Sequence, residues 1–356
     1  MTSVLLAGLL LSTVAPAPRF PATAPAPEAM VQRIGLTSCI HQWKPIPALE
    51  AINRLKPDTM LFLGDNVYLD SRDSSGDFAT DYENLRKAPG FQSLVDSART
   101  LAVWDDHDYG LNDAGEEYPR KAETQRLFAD FWRLPADSPV RQRPGTYDSV
   151  TLGPSGRRVQ FLLLDTRTFR SPLMSRTEAP RGYMPDNSPD KTMLGAAQWK
   201  WLEEELKKPA EIRIICTSIQ FVPEDHRFEK WMNLPRERQR MINLIRSTGA
   251  TGVIMVSGDR HLSEISMMDA GIGYPLYDLT TSGLNSARAD WRLQESNRWR
   301  VGSMNYGDSF ATIDINWTEA DPLIRLQMRD VQGEVVMQQG VRLSWLKPGR
   351  IPPATN

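Results

Sequence analysis

The sequence gathers chemistry-bearing side chains into a few short stretches. VWDDHDYG, Val103–Gly110, sets Asp105, Asp106 and Asp108 around His107 directly after an apolar run. Carboxylates at this spacing repel one another and raise each other's pKa unless a cation lies among them. Asp106 is therefore a candidate metal ligand. His107 has an imidazole whose usual pKa lies near working pH, and it is a candidate general acid or base. Asp105 or Asp108 could orient that imidazole, and the sequence leaves open which.

GDNVYLD, Gly64–Asp70, offers Asp65 as a hard oxygen ligand at a strand tip and Asn66 as a carbonyl donor. Tyr68, three residues on from Asp65, can give a phenolate to a trivalent metal. In SGDRHLSEI, Asp259 and His261 lie two apart, so both can reach one centre as the chain leaves a strand. The chain has only four histidines, so any metal site in it must be rich in carboxylate and hard in character. Cys39, after Thr37 and Ser38, reads equally as a thiolate ligand and as a buried thiol. Weaker candidates for contacting a substrate are Asn66, Gln220, Arg260 and Asn285, with Arg167 and Arg72 as further cations for an anionic group.

These stretches follow apolar runs that have the length and continuity of strands covered on both faces: 33–39, 59–65, 101–106, 159–165, 212–220 and 251–259. Helical spacing recurs between them at 46–55, 122–132, 196–206 and 235–246. The alternation predicts an α/β architecture in which the acids at the strand ends converge on one site. From 310 to 346 the period changes to that of antiparallel strands, expected to close a second sheet. The Pro- and Ser-rich stretch 171–190 is expected to be a long loop bordering the site.

A formal charge of −2 gives no reason to expect a nucleic-acid-binding surface or an anionic membrane as partner. Two cysteines exclude a disulfide scaffold, though not a single bridge between Cys39 and Cys216. The apolar run 4–14 is too short to span a bilayer and precedes an Ala/Pro-rich stretch. It reads as a cleaved export signal, with a single domain over 31–350 in an exported, periplasmic or secreted protein.

Taken in order, TSCIH, FLGDNVYLD, VWDDHDYG, LLLDTRTF, SIQFVPEDHRFEKW, SGDRHLSEIS and LYDLTTSGLN resemble the alkaline phosphatase D (PhoD-like) family of metallophosphatases. The resemblance implies a four-layer αββα sandwich and hydrolysis of phosphomonoesters and phosphodiesters at a centre of ferric iron with calcium. It implies iron held by Cys39, Tyr68 and His261, with Asp65 bridging. Asp106 and Asp259 would serve the second metal, and His107 would act as proton donor beside the substrate. Compared with the wider metallophosphatase superfamily, Cys39 takes the region of an Asp-x-His. Asp-Asp-His replaces Gly-Asn-His, and Gly-Asp-x-His replaces Gly-His-x-His. With fewer imidazoles than a dinuclear zinc or manganese site, the set leaves other divalent metals open.

The expectation is thus a metal-dependent phosphoesterase acting on a phosphate-ester substrate. Two alternatives stand beside it: a haloacid-dehalogenase-like phosphatase with Asp165 as nucleophile, and an extracytoplasmic protein that binds metal without turnover.

Overall fold

The computed structural model describes residues 19–69, 78–288 and 295–349. Its strands are β1 (Arg33–Thr37), β2 (Thr59–Leu63), β3 (Arg99–Val103), β4 (Asp148–Leu152), β5 (Val159–Leu163) and β6 (Ile212–Cys216). They continue with β7 (Val253–Ser257), β8 (Ser263–Asp269), β9 (Pro275–Thr281), β10 (Ser309–Asn316), β11 (Leu323–Asp330) and β12 (Val335–Arg342). The helices are α1 (Ala48–Leu55), α2 (Phe78–Lys87), α3 (Phe91–Ser97), α4 (Asp106–Tyr109), α5 (Lys121–Phe131), α6 (Pro139–Gln142), α7 (Gly195–Leu206) and α8 (Pro235–Thr248).

Two six-stranded sheets result, in the orders β12-β11-β10-β1-β2-β3 and β4-β5-β6-β7-β9-β8. β1, β2 and β3 run parallel, as do β5, β6, β7 and β9. Side-chain alternation decides the layers. In β2, Leu61 and Leu63 join Ile34, Leu36, Phe161 and Ile214 in the core shared by both sheets. Met60 and Phe62 point the other way, into a second core with Leu49 and Ile52 of α1, Leu85 of α2 and Leu94 of α3. On the second sheet, Trp199 and Leu202 of α7 and Met241 and Ile245 of α8 join the main core. The result is an α/β sandwich with helices flanking two mixed sheets. Each fully buried aliphatic side chain in such a core contributes about 1.5–3 kcal/mol.

The structure departs from the sequence reading in two places. The C-terminal strands are antiparallel as expected, but they extend the first sheet, because β10 pairs with β1 over Arg33–Leu36. The second sheet is instead completed by β4 and by the β8–β9 hairpin. Ordered packing also begins before the expected boundary at residue 31. Arg19 pairs with Asp148 beside β4, Arg99 of β3 donates to the carbonyls of Ala26 and Ala29, and the Gly153 N–H donates to the Pro27 carbonyl. Residues 19–30 therefore bridge the edge strands of both sheets, and Phe20 and Met30 pack on the main core. The expected signal run, 4–14, lies outside the described residues. No helix of the described residues is long and apolar enough to cross a membrane. Cys39 and Cys216 are both buried and free, so the bridge left open by the sequence does not form.

Candidate metal centre

The carboxyl ends of the two sets of parallel strands meet at one edge of the sandwich. After β1, Ser38 accepts from the N–H groups of Gly283 and Leu284, which follow β9. Gly258, after β7, lies so close to the first sheet that a Cβ on it would fall 2.5 Å from Ser38 Oγ. Gly64, after β2, has φ +98° and would place a Cβ 2.5 Å from that of Asp105. Larger residues at either position would push apart the strand ends that carry the site.

Four candidate ligands have left-handed backbone conformations: Cys39 (φ 54°), Asp65 (48°), Asp259 (64°) and His261 (52°). Each such residue costs about 1 kcal/mol relative to ordinary backbone, so the surrounding bonds must hold it. The Cys39 N–H donates to the Gly64 carbonyl at 3.2 Å and the Ile40 N–H to the Asp65 carbonyl at 2.8 Å. The His261 N–H donates to Ser282 Oγ at 2.6 Å.

Three groups of ligand atoms, each within 4.8 Å of one another, form a chain across the site. They are Cys39–Asp65–His261, Asp65–Asp106–His107 and Asp106–Asp113–Glu229, so Asp65 and Asp106 each belong to two. Cys39 Sγ lies 3.2 Å from Asp65 Oδ2 and 3.0 Å from Ser282 Oγ. His261 Nδ1 is 2.7 Å from the Ser286 carbonyl oxygen, which can only accept. Nδ1 therefore carries the proton, and Nε2 is the nitrogen left with a lone pair for an ion. The Tyr68 hydroxyl is 3.4 Å from that Nε2. The Tyr68 ring is flanked by His41, with centroids 5.4 Å apart, and by His107, with centroids 4.2 Å apart.

The three carboxylates around His107 divide their work. Asp105 Oδ1 accepts from Arg167 Nε at 2.6 Å, deep in the protein. Asp108 accepts from the Asp105 N–H at 2.6 Å, the Asp65 N–H at 3.2 Å and Asn66 Nδ2 at 2.5 Å, so it fixes the turns that carry the ligands. Asp106 belongs to the ligand chain, steadied by the His107 N–H at 3.0 Å and the Asp113 N–H at 2.7 Å.

The electrostatics fit a cation. Burial, reinforced by the Asp65 charge, pushes the Cys39 thiol well up, and burial does the same to Tyr68. Burial and Asp106 push Asp65 well up. Asp259 rises chiefly by burial, against the pull of Arg260. Burial opposes ionisation of Asp106 too, but His107, Arg167 and the Asp113 N–H outweigh it and hold that carboxyl low. Most of these donors are thus anionic only if positive charge is supplied, which is what an ion does. Asp259 Oδ2 and Asn66 Oδ1 are buried acceptors without a hydrogen-bond partner, a further sign of an expected ligand. Asp259 acts electrostatically on both Cys39 and the Asp105–Asp106 turn, although it lies outside the three tight groups.

The weaker candidates are engaged within the fold. Gln220 Nε2 donates to Glu264 and Thr280, each at 2.8 Å. Asn285 accepts from the His41 N–H at 2.8 Å and donates to the His41 carbonyl at 3.0 Å, which ties down the loop after Cys39. Arg260 pairs with Glu295 at 2.7 Å and lies over the Phe228 ring. Arg167 joins Asp105 to Glu229, and Arg72 lies outside the described residues. Asp165 accepts from the N–H groups of Thr146, Arg167 and Thr168 and from the Thr168 hydroxyl, an anchor for a turn rather than an exposed nucleophile.

Sequence reasoning missed Asp113, Glu229 and the supporting hydroxyls of Ser282 and Ser286. Glu229 stands in the quoted stretch SIQFVPEDHRFEKW, which drew notice for its other residues. The loop 171–190 does border the site: the Tyr183 hydroxyl donates to Asp113 Oδ2 at 2.7 Å.

Residues 34–284 match the family model of the PhoD-like phosphatases. The chain belongs to the PhoD-like phosphatase family. Alkaline phosphatase D of Bacillus subtilis (strain 168) is 24% identical over 184 residues, 47% of this chain and 31% of that protein. The matched part is thus about a third of that relative's length. A solved structure titled as that of PhoD superposes with a TM-score of 0.68 at 20% identity, covering 90% of this chain and 70% of its own. The purple acid phosphatase PPD1 from yellow lupin (Lupinus luteus) seeds gives a TM-score of 0.65 at 12% identity, covering 93% and 58%. At these identities the structural likenesses show a shared fold, and with it the metallophosphatase type of sandwich expected from the sequence.

Proposed function

We propose that this PhoD-like protein hydrolyses phosphate esters, monoesters and diesters, at a multinuclear metal centre built on Cys39, Asp65, Tyr68, Asp106, Asp259 and His261. The observation that carries the reading is the continuous chain of ligand groups sharing Asp65 and Asp106. A structural calcium site would not require a thiol, a phenol and an imidazole at one end.

Cys39, Tyr68 and His261 offer a thiolate, a phenolate and an imidazole, a set suited to a transition metal such as ferric iron. The carboxylates of Asp65, Asp106 and Asp259 suit calcium or another hard divalent ion. When bound, the ions neutralise phosphoryl oxygens and lower the pKa of a coordinated water. Ser286 fixes the His261 tautomer through its carbonyl, and Ser282 holds Cys39 and His261 together by bonding to both. Asp108 holds the Asp65 and Asp105 turns in register. His107, tilted against the Tyr68 ring and partly exposed, donates a proton to the departing ester oxygen. Export across the cytoplasmic membrane, directed by the N-terminal segment, belongs to the same proposal.

The test is His107→Ala in protein of determined metal content. Its metal should stay at the wild-type level while turnover falls about 10²–10⁴-fold, most for esters with poor leaving groups. An equal loss for good and poor leaving groups removes the proton-donor role. Wild-type protein without metal, or activity indifferent to chelator, overturns the function.

A further inference from the structure

Away from the metal centre, α5 turns one face toward the segment that contains α6, and together they line an open cavity of about 610 Å³. Lys121, Gln125, Arg126 and Ala129 share that face by helical spacing. Across from them stand Arg141 and Arg143, and Val140 and Pro144 supply apolar wall. Gln125 clamps the two sides by donating to the carbonyls of Val140 and Arg143.

Four cationic side chains line this space, and no carboxylate does. Of the four, only Arg141 has an ion pair among the described residues, with Asp130 at 2.6 Å. Lys121 donates to the Glu116 carbonyl at 2.5 Å, and Arg126 makes no hydrogen bond or ion pair among the described residues. Arg143 is partly buried with its guanidinium 3.4 Å from the centre of the Tyr147 ring, and its hydrogen bonds go to the carbonyls of Gly145 and Tyr147. The carboxylates nearest it are committed elsewhere: Asp148 to Arg19, and Asp165 to the turn through Thr168. A chain whose formal charge is −2 thus leaves a local excess of positive charge, part of it desolvated, around one cavity. Arg143, half-buried, carries the desolvated part of that charge, which an anion would offset, whereas Arg126 and Arg141 are exposed. Guanidinium forks match phosphate oxygens in geometry, and apolar walls strengthen the attraction by excluding water.

We propose that the cavity between α5 and the Val140–Pro144 segment binds a phosphate anion through Lys121, Arg126 and Arg143, at a site separate from the metal centre. The anion is either free inorganic phosphate or a second phosphate group borne by the substrate. Thr168 lines the cavity and adjoins Arg167, so the two sites share one loop.

The experiment is calorimetric titration of the full chain with inorganic phosphate. It is run in an Asp65→Asn background, which silences the metal centre, with and without Lys121→Gln plus Arg126→Gln. Binding should persist in Asp65→Asn and weaken at least about tenfold when the two cations are removed. No binding in Asp65→Asn, or binding indifferent to the two substitutions, overturns the proposal. The paired substitutions alone, in the metal-loaded enzyme, distinguish the sources of phosphate. If the phosphate is substrate-borne, KM rises about tenfold for a nucleoside bisphosphate p-nitrophenyl ester but not for p-nitrophenyl phosphate. If it is free phosphate, both KM values stay put while calorimetric binding is still lost. A fall in kcat for p-nitrophenyl phosphate also overturns the proposal, because the cations would then be serving the metal centre. That result is distinct from failure of the proposed function, which would leave the wild-type protein inactive.

Discussion

The two ends of the ligand chain answer the same problem, too much buried negative charge, in different ways. At the Cys39–Asp65–His261 end thiol, phenol and carboxyl are all driven toward their neutral forms. At the Asp106–Asp113–Glu229 end the protein supplies its own cations. Arg167 reaches Asp105 and Glu229 and lies 3.9 Å from Asp106, and Arg170 pairs with Glu229 at 2.9 Å. The first end therefore depends on an ion for its charge balance. The second is partly balanced by the fold, with Asp113 still pushed up to about 7, and in the proposed function it would orient the shared Asp106 while the first end would hold metal.

The largest effect should come from breaking the unbalanced end at its shared member. Asp65→Asn should lose metal and drop turnover by about 10³-fold or more, as read by elemental analysis beside steady-state kinetics. A variant with normal metal content would show that Asp65 links the two ends by hydrogen bonding alone. Next in size, Arg167→Met should destabilise the chain by about 3–5 kcal/mol in denaturant titration, because it strands buried carboxylates without their cation. If the two ends differ as described, folded Arg167→Met protein still binds metal at Cys39 and His261. Parallel loss of metal and stability would merge the ends into one unit.

The smallest effect is a pH dependence specific to the metal-free protein. Burial raises Asp105, Asp108 and Asp113 to about 7 from 3.8. Below about 4 both folded and unfolded chains hold these protons, whereas between about 4 and 7 only the folded chain does. Metal-free protein should therefore lose stability as pH rises through that window, seen as a falling Tm. Metal-loaded protein should show a shallower fall, since added positive charge draws these pKa values down. Identical slopes would mean that the ions lie too far from the acids to affect them.

The sequence disclosed those parts of the site where a ligand directly follows an apolar run. Asp65, Asp106 and Asp259 stand at such places, and the turn after β1 puts Cys39 there too. Asp113 and Glu229 were hidden because they come from irregular loops, whose path no periodicity records. The engagement of Arg167, Arg260 and Asn285 was hidden for a related reason: spacing shows that a polar group is near, not which partner it takes. In the same way, period-two alternation identified β10–β12 as antiparallel strands but could not say which sheet they join. That choice is made by pairing with β1, whose residues lie nearly three hundred positions earlier. The segment 19–30 misled through its composition: an Ala/Pro-rich stretch looks like a linker, yet its carbonyls accept from Arg99 and Gly153.

Cys39, Asp65, Asp259 and His261 hold left-handed backbones, as do Lys56, Asp113 and Arg133 elsewhere among the described residues. Glycine would adopt those angles without penalty, and a sequence optimised only to stay folded would drift toward it at all four positions. Side chains persist there against a summed cost of roughly 4 kcal/mol, taking about 1 for each. The candidate site is thus a local cost to stability, set against the chemistry proposed for it. A chain relieved of that chemistry would be free to become sturdier first at these positions.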